Sequence, residues 1–403
     1  MKQQLIVILG LFVCMTVSAQ IESGFIFDGN GTITGYTGQS TDIVIPERIN
    51  GVLVTAIGNR AFSQRGLTSV VMPDSVTSIG IGAFNNNQLT SITLPESVTY
   101  IGLWAFRNNQ LTSVILPESV AYIGHGAFQN NQLASVILPD NVTHLGDQAF
   151  ANNQLVLLEI GQNLVSIARE AFLGNQLASV TIPANVTSIG GRAFQENRLS
   201  SVIIENGVTT IGLFAFSNNK LTSVALPDSI TSIGGHAFSD NQLVSVEFGN
   251  GITSIPSGAF IRNQLTSVTI PDGVYIIRNV AFHSNQLTSV ILPDSITRID
   301  VGAFESNRLT NVIVPDSVRS IGAGAFQNNQ IEVVTIPDSV NIQEEAFKDN
   351  PLRRIDIGNN VMIQGFHGMP AFPDRFDDFY NNNGRRAGIY VLVHGRWDVL
   401  LRQ

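Results

Sequence analysis

One 22-residue phrase recurs along this chain with few edits. "LTSITLPESVTYIGLWAFRNNQ" covers residues 89–110, "LTSVILPESVAYIGHGAFQNNQ" covers 111–132, and "LASVILPDNVTHLGDQAFANNQ" covers 133–154. From Leu67 to Ile331 the register advances by twelve steps of 22 without a slip. The Ala-Phe pair marks fourteen copies between Phe62 and Phe347, each with its alanine. A period in the twenties predicts a solenoid: no turn can bury its apolar face alone, so turns stack and share a core. Chain length then carries little information on domain number, because repeats add residues without adding domains.

Within the turn that begins at Leu89, Ile92 and Leu94 flank Thr93 with period-2 alternation. This predicts a short strand with Ile92 and Leu94 inward. Pro95 ends it, since proline cannot donate to a ladder, and Glu96-Ser97 makes the turn. Val98 and Ile101 point inward on a second extended piece. Gly102 permits a tight bend, and Ala105-Phe106 sits on a short helical or 3₁₀ turn. Phe84, Phe106, Phe128 and Phe150 are expected to fill successive coils. Asn87, Asn109, Asn131 and Asn153 are expected to form a structural ladder, each amide satisfying backbone groups and its own copy in the next coil. The predicted fold is therefore a repeat solenoid of about 14 turns of 22 residues. Its strands form one parallel sheet, and short turns lie opposite.

The ends depart from the repeat. "MKQQLIVILGLFVCMTVSA" has a basic start, a short apolar run and a small-residue cleavage site, the pattern of a secretory signal peptide over residues 1–19. The single cysteine, Cys14, lies within it, so the mature chain is expected to draw its stability from packing without disulfides. Residues 20–66 read as an N-terminal cap with a first irregular repeat, 67–357 as the array, and 358–403 as a C-terminal cap. In the first cap, Phe25 to Tyr36 reads as a hairpin with its turn at residues 28–31. In the second, an aromatic helix-like start leads to a strand from Ile389 to Val393 and another near Trp397. No later segment reads as a membrane span or hydrophobic anchor tail. The expected location is secreted or cell-surface.

Function has to be written on outward positions. The third residue of each turn is usually serine, and the fifth runs Thr93, Ile115, Ile137, Glu159, Thr181, Ile203, Ala225, Glu247, Thr269 and Ile291. Two readings stand for this ribbon: plain strand propensity, or a long protein-binding face. Gly161, Glu205 and Gly249 replace the proline in three turns, as drift or as a local recognition patch. The acidic residue after proline, from Asp74 and Glu96 to Asp338, forms a stripe that is either ordinary turn chemistry or a calcium-attracting row. A net charge of −9 argues against a nucleic-acid partner, which needs a basic stripe. The six histidines (125, 144, 236, 283, 367 and 394) read as scattered, with no Ser or Asp in column to suggest a triad. Trp104 and Phe214 read as covers for coil edges. No catalytic residue, cofactor or metal site is expected, and the chain is expected to be monomeric.

The phrases "LTSVTIPDGV", "VTSIGGRAF" and "NGTITGYTGQSTDIVIPERINGVLVTAIGNRAF" resemble the BspA-like leucine-rich repeat family over roughly residues 24–395. That resemblance implies a right-handed leucine-rich-repeat coil with its strands on the concave face. It also implies a bacterial secreted or surface protein that binds matrix proteins or other cells. No catalytic motif comes with it. Two other classes remain beside this adhesion scaffold: a structural spacer or surface-layer component, and a polysaccharide-active solenoid.

Overall fold

The computed structural model describes residues 24–364 and 370–402; the signal-peptide segment, residues 1–19, lies outside them. The fold is a parallel β-solenoid of about 15 turns of about 22 residues. It divides into two compact units, residues 1–177 and 178–403.

The turn over residues 89–110 shows how sequence becomes coil. Strand Ser91–Thr93 is exposed, buried and exposed in order, so Ile92 enters the core while Ser91 and Thr93 face out. Val98 N–H donates to the Pro95 carbonyl at 3.0 Å and closes the turn around Glu96-Ser97. The Ser97 hydroxyl donates to the Val76 carbonyl one turn earlier, at 2.6 Å. Strand Tyr100–Ile101 then buries Ile101. The outer side is made of tight turns: Ala105 N–H donates to Gly102 and Arg107 N–H to Trp104, both at 3.2 Å. These i→i+3 bonds have the expected 3₁₀ pattern. They do not propagate into helix, because Trp104 and Asn108 both adopt φ of 56° in the left-handed region. Alternate amides instead reach the next turn, from Trp104 to His125 and from Phe106 to Ala127 at 2.8 Å.

Each turn therefore contributes to more than one parallel ladder. In the first unit, the two-residue strands join the N-terminal hairpin in a seven-stranded sheet ending at His144–Leu145. The strand face is laid down in short in-register pairs. Ser91–Thr93 pairs with Ser113–Ile115, and Ser135–Ile137 with Leu157–Glu159. In the second unit, Ser179–Ile182 pairs with Ser201–Ile204, Ser223–Ala225 with Ser245–Glu247, and Ser267–Thr269 with Ser289–Ile291. Between pairs, single bonds such as Ala134 N–H to the Thr112 carbonyl (3.2 Å) carry the contact.

The phenylalanines fill the coils. In the first unit, Phe62, Phe84, Phe106, Phe128, Phe150 and Phe172 stack nearly parallel at 5.2–5.9 Å between ring centroids. Centroid separations of this size place parallel rings in the offset arrangement that their quadrupoles favour. In the second unit the column runs from Phe194 and Phe216 through Phe347 to Phe372. Ala371-Phe372 is thus a fifteenth copy of the marker pair, inside the segment the sequence assigned to the cap. The three-residue lengthening of its step, from Phe347 to Phe372, hid it from a fixed-period reading.

Beside the rings runs the asparagine column. The Asn87 amide donates to the carbonyls of Phe62 and Phe84 at 2.8 and 2.9 Å. Its oxygen accepts from Arg65 and Leu67 N–H, both at 3.0 Å. Asn109, Asn131 and Asn153 repeat this across consecutive phenylalanine carbonyls. Each amide binds backbone of its own turn and of the turn before; it does not bond to its own copy. The copy-to-copy ladder runs instead through the preceding residue: Asn108 to Asn86 at 2.6 Å, Asn130 to Asn108 at 2.7 Å, and Asn152 to Asn130 at 3.0 Å. The reason is room. Asn109 is pinned against the carbonyls inside the coil, whereas the side chain of left-handed Asn108 extends along the stack.

Both ends are closed by polar-tied caps. Antiparallel strands Phe25–Phe27 and Thr32–Tyr36 form the first, with Asp28 accepting from Asn30 and Thr32 N–H in the turn. Phe25 and Tyr36 cover Phe62. The second comprises helix Phe376–Asn382 and the antiparallel strands Gly388–Val393 and Arg396–Arg402, added to Arg354–Ile357. Phe376 contacts Phe372, Tyr390 and Trp397 edge-on.

Asp377 ties this cap to the last coil, accepting from Ala371 and Phe372 N–H at 2.6 and 3.1 Å. Burial outweighs those two bonds and pushes its carboxyl up to about 6. The folded state therefore binds this proton more tightly than the unfolded chain. Its contribution is fully present below the ordinary carboxylate range near 4 and is lost as pH rises through about 6. We expect wild-type cap stability to fall by about 1–3 kcal/mol more than that of Asp377→Asn between pH 4 and pH 7. Hydrogen exchange of residues 370–400 across that range reads it; parallel pH profiles for the two proteins would contradict it.

Candidate interaction surface

Alternation on the strand face turns the fifth-position side chains outward. In the first unit Thr93, Ile115, Ile137 and Glu159 are exposed, with Ile115 at 81%. In the second unit Thr181, Ile203, Ala225, Glu247, Thr269 and Ile291 are exposed, with Ile203 at 60% and Ile291 at 64%. Pairing brings them side by side: Ile115 beside Thr93, Ile137 beside Glu159, Thr181 beside Ile203, Ala225 beside Glu247, and Thr269 beside Ile291. Isoleucine on the solvent side of a strand satisfies β propensity, but threonine does so without apolar exposure. The ladder residues Asn87, Asn109, Asn131 and Asn153, with Phe84, Phe106, Phe128 and Phe150, are buried and contribute nothing directly to this face.

Two of the turns that lack proline run close to the turn before. A Cβ on Gly249 would lie 2.6 Å from the Pro227 carbonyl and from Asp228 N, in the turn before. Gly161 sits against Pro139 in the same way. This close approach lets the next amide reach the preceding aspartate: Asn250 N–H to Asp228 and Gln162 N–H to Asp140, both at 2.8 Å. At both positions this backbone approach leaves no room for a Cβ. At Glu205 the carboxylate itself makes the cross-turn bond, accepting from Ala184 N–H at 2.9 Å.

A cavity lies beside the Gly249 turn. Strand Ser245–Glu247 pairs with the turn before it, and Leu226 N–H donates to the Glu247 carbonyl at 2.9 Å. On its other side, toward strand Ser267–Thr269, lies a hollow of about 470 Å³. Val246, Phe248 and Ile270 line it, with Glu247, Asn250 and Asp272 among its polar residues. Phe248 replaces the usual aliphatic residue and packs edge-on against Phe260 at 5.5 Å.

The histidine registers are less scattered than the sequence reading held. His144 follows Tyr100 and Tyr122 in one column, and the three rings stack at 4.7 and 4.2 Å. That column also holds Ser166, and the column of His125 holds Asp147 one turn later, so serine and aspartate do share columns with histidine. Neither makes a catalytic pair: His144 stacks on Tyr122, His125 lies edge-on to Trp104, and Asp147 accepts from Arg169 N–H. Phe214 lies between Arg192 and His236 on the outer turns. His367 falls outside the described residues. Reading the second-strand column by itself would have found the Tyr-Tyr-His stack.

A sequence profile described as the BspA type leucine rich repeat region matches in six copies, over residues 55–177, 165–286 and 253–366. The chain belongs to the BspA type leucine-rich repeat family. Among solved structures, a leucine-rich repeat protein from Bacteroides ovatus is 24% identical, with a TM-score of 0.69 over 83% of this chain and 97% of that one. A leucine rich cell surface protein from Faecalibacterium prausnitzii is 27% identical, with a TM-score of 0.48 over 86% of this chain and 95% of that one. No curated protein matches the chain. The BspA type repeat is a protein-interaction scaffold fold. Among the described residues of this family member, no helix is long and apolar enough to cross a membrane. No group of three His, Cys, Asp or Glu residues among them is arranged to hold a metal ion.

Proposed function

We propose that this protein is an exported, non-catalytic interaction scaffold that binds a protein or cell-surface ligand through the strand face of its coils, as an adhesin does. The observation that carries this reading is the exposure of isoleucine at 115, 137, 203 and 291, on a face where threonine would serve the fold equally well. The mature chain begins near Gln20, so N-terminal sequencing of secreted material tests export; a retained Met1 would remove that part of the reading.

Binding is tested with the mature chain against a panel of matrix proteins, whole cells and glycans. Ile115→Lys with Ile137→Lys, and separately Thr181→Lys with Ile203→Lys, are expected to weaken binding at least about tenfold by setting unpaired charges in the contact. Leu213→Lys with Val301→Lys, exposed on the outer turns, serves as the control and is expected to leave binding intact. Gly191 and Gly235 are poorer control sites, since a Cβ there lies 3.3 and 3.1 Å from the Leu213 and Ser257 carbonyl oxygens. Loss of binding in the control pair alone would move the site to the outer turns. If no partner is captured, the regularity of the columns favours a structural spacer.

A further inference from the structure

The cavity beside the Gly249 turn brings half-buried apolar side chains and two carboxylates together. Its lining is mixed: Val246 and Phe248 present half-buried apolar surface, and two carboxylates, Glu247 and Asp272, stand among Ser245, Asn250, Ser267 and Thr269 with no lysine or arginine. Both carboxylates are exposed, and among the described residues neither has a hydrogen-bond or ion-pair partner. Two other carboxylates of this unit are ion-paired, Asp240 with Arg262 and Asp300 with Arg298. The hollow itself follows from the backbone. Ser245–Glu247 pairs with Ser223–Ala225 and Ser267–Thr269 with Ser289–Ile291, so no strand ladder closes the space between Glu247 and Thr269.

We infer that this cavity receives the side chain of an arginine or lysine from a protein partner. Such a side chain has an apolar stem and a cationic head. Phe248 and Val246, both half-buried, would pack the stem, and Glu247 and Asp272 would meet the head. Asn250 offers a further acceptor at the rim. The hollow is about 470 Å³ and open to solvent on the strand face. A carboxylate pair beside an apolar wall disfavours an acidic or purely aliphatic occupant, since the first is repelled and the second leaves both charges unanswered. The inference rests on the strand-face reading, because Glu247 and Thr269 belong to that face, and it names the chemistry of one contact within it.

Saturation-transfer NMR on the full chain tests it with three small probes: N-acetyl-arginine methylamide, N-acetyl-lysine methylamide, and the citrulline analogue that is neutral but equally long. The cationic probes are expected to bind in the millimolar range and the citrulline probe at least about tenfold more weakly. Glu247→Gln with Asp272→Asn is expected to abolish the signal while leaving the melting curve unchanged, as both side chains are exposed. Thr269→Arg, which supplies a cation from within, is expected to block the probes while both carboxylates remain. Equal binding of the citrulline probe, or undiminished binding to the Gln/Asn variant, would overturn the assignment. Those outcomes would leave the strand-face reading standing, because it is judged on partner capture by the Ile115/Ile137 and Thr181/Ile203 variants.

Discussion

Phe216→Ala is expected to lower the stability of the second unit by about 3–5 kcal/mol in chemical denaturation. Phe216 is fully buried and stacks on Phe194 at 5.4 Å and on Phe238 at 5.5 Å. Truncation removes the ring from two neighbours at once and leaves a void that rigid coils above and below cannot collapse to fill. Thr222→Ala sets the scale. Thr222 is exposed at the start of the next turn and is expected to cost about 0.5 kcal/mol or less. Because each turn contacts only its neighbours, the loss has a place as well as a size. Hydrogen-exchange protection should fall most over residues 190–245 and least at the caps. Equal losses for the two variants would mean that the phenylalanine column does not carry the core.

What the sequence made legible follows from what a 22-residue period can encode. Phe84 and Phe106 occupy the same place in identical surroundings, so one period predicts them both. The alternation around Thr93 and Ile115 likewise fixed which side chains face out. The hydrogen bonds of Asn109 were harder, because its column is visible but its partners are backbone atoms set by coil geometry. The left-handed residues were hidden for a different reason. Trp104, Gly126, Gln148 and Glu170 share one such column, and no residue type common to them signals it. The Gly249 cavity could not be read, since a sequence does not say toward which neighbour a shifted turn will lean. Phe372 was missed because its step is longer than 22. The strand-face residues were found as a column, but which of them a partner touches depends on the partner's own surface.

Asn219→Asp changes one atom and is expected to cost about 3–5 kcal/mol at neutral pH, comparable with loss of a ring. The Asn219 amide nitrogen donates to the carbonyls of Phe194, Phe216 and Ser217 at 2.9, 3.1 and 3.3 Å. Its oxygen accepts from Leu199 N–H at 3.0 Å. A carboxylate keeps the last bond and loses the other three. It also sets a buried negative charge against three carbonyl oxygens, where each unsatisfied group costs about 1–3 kcal/mol. The sign with pH follows. Burial and the facing oxygens raise the folded-state pKa of the new acid above its unfolded value, so stability returns as pH falls and the protonated carboxyl regains one donor. Denaturant melts at pH 7 and pH 4 should therefore show a smaller deficit at the lower pH, measured against wild type at each. Lys220→Ala, exposed and next in sequence, should change little at either. A deficit in Asn219→Asp that is small, or equal at both values, would mean that the turn satisfies its carbonyls without the amide. The column of thirteen asparagines, from Asn87 to Asn350, would then have lost its physical reason.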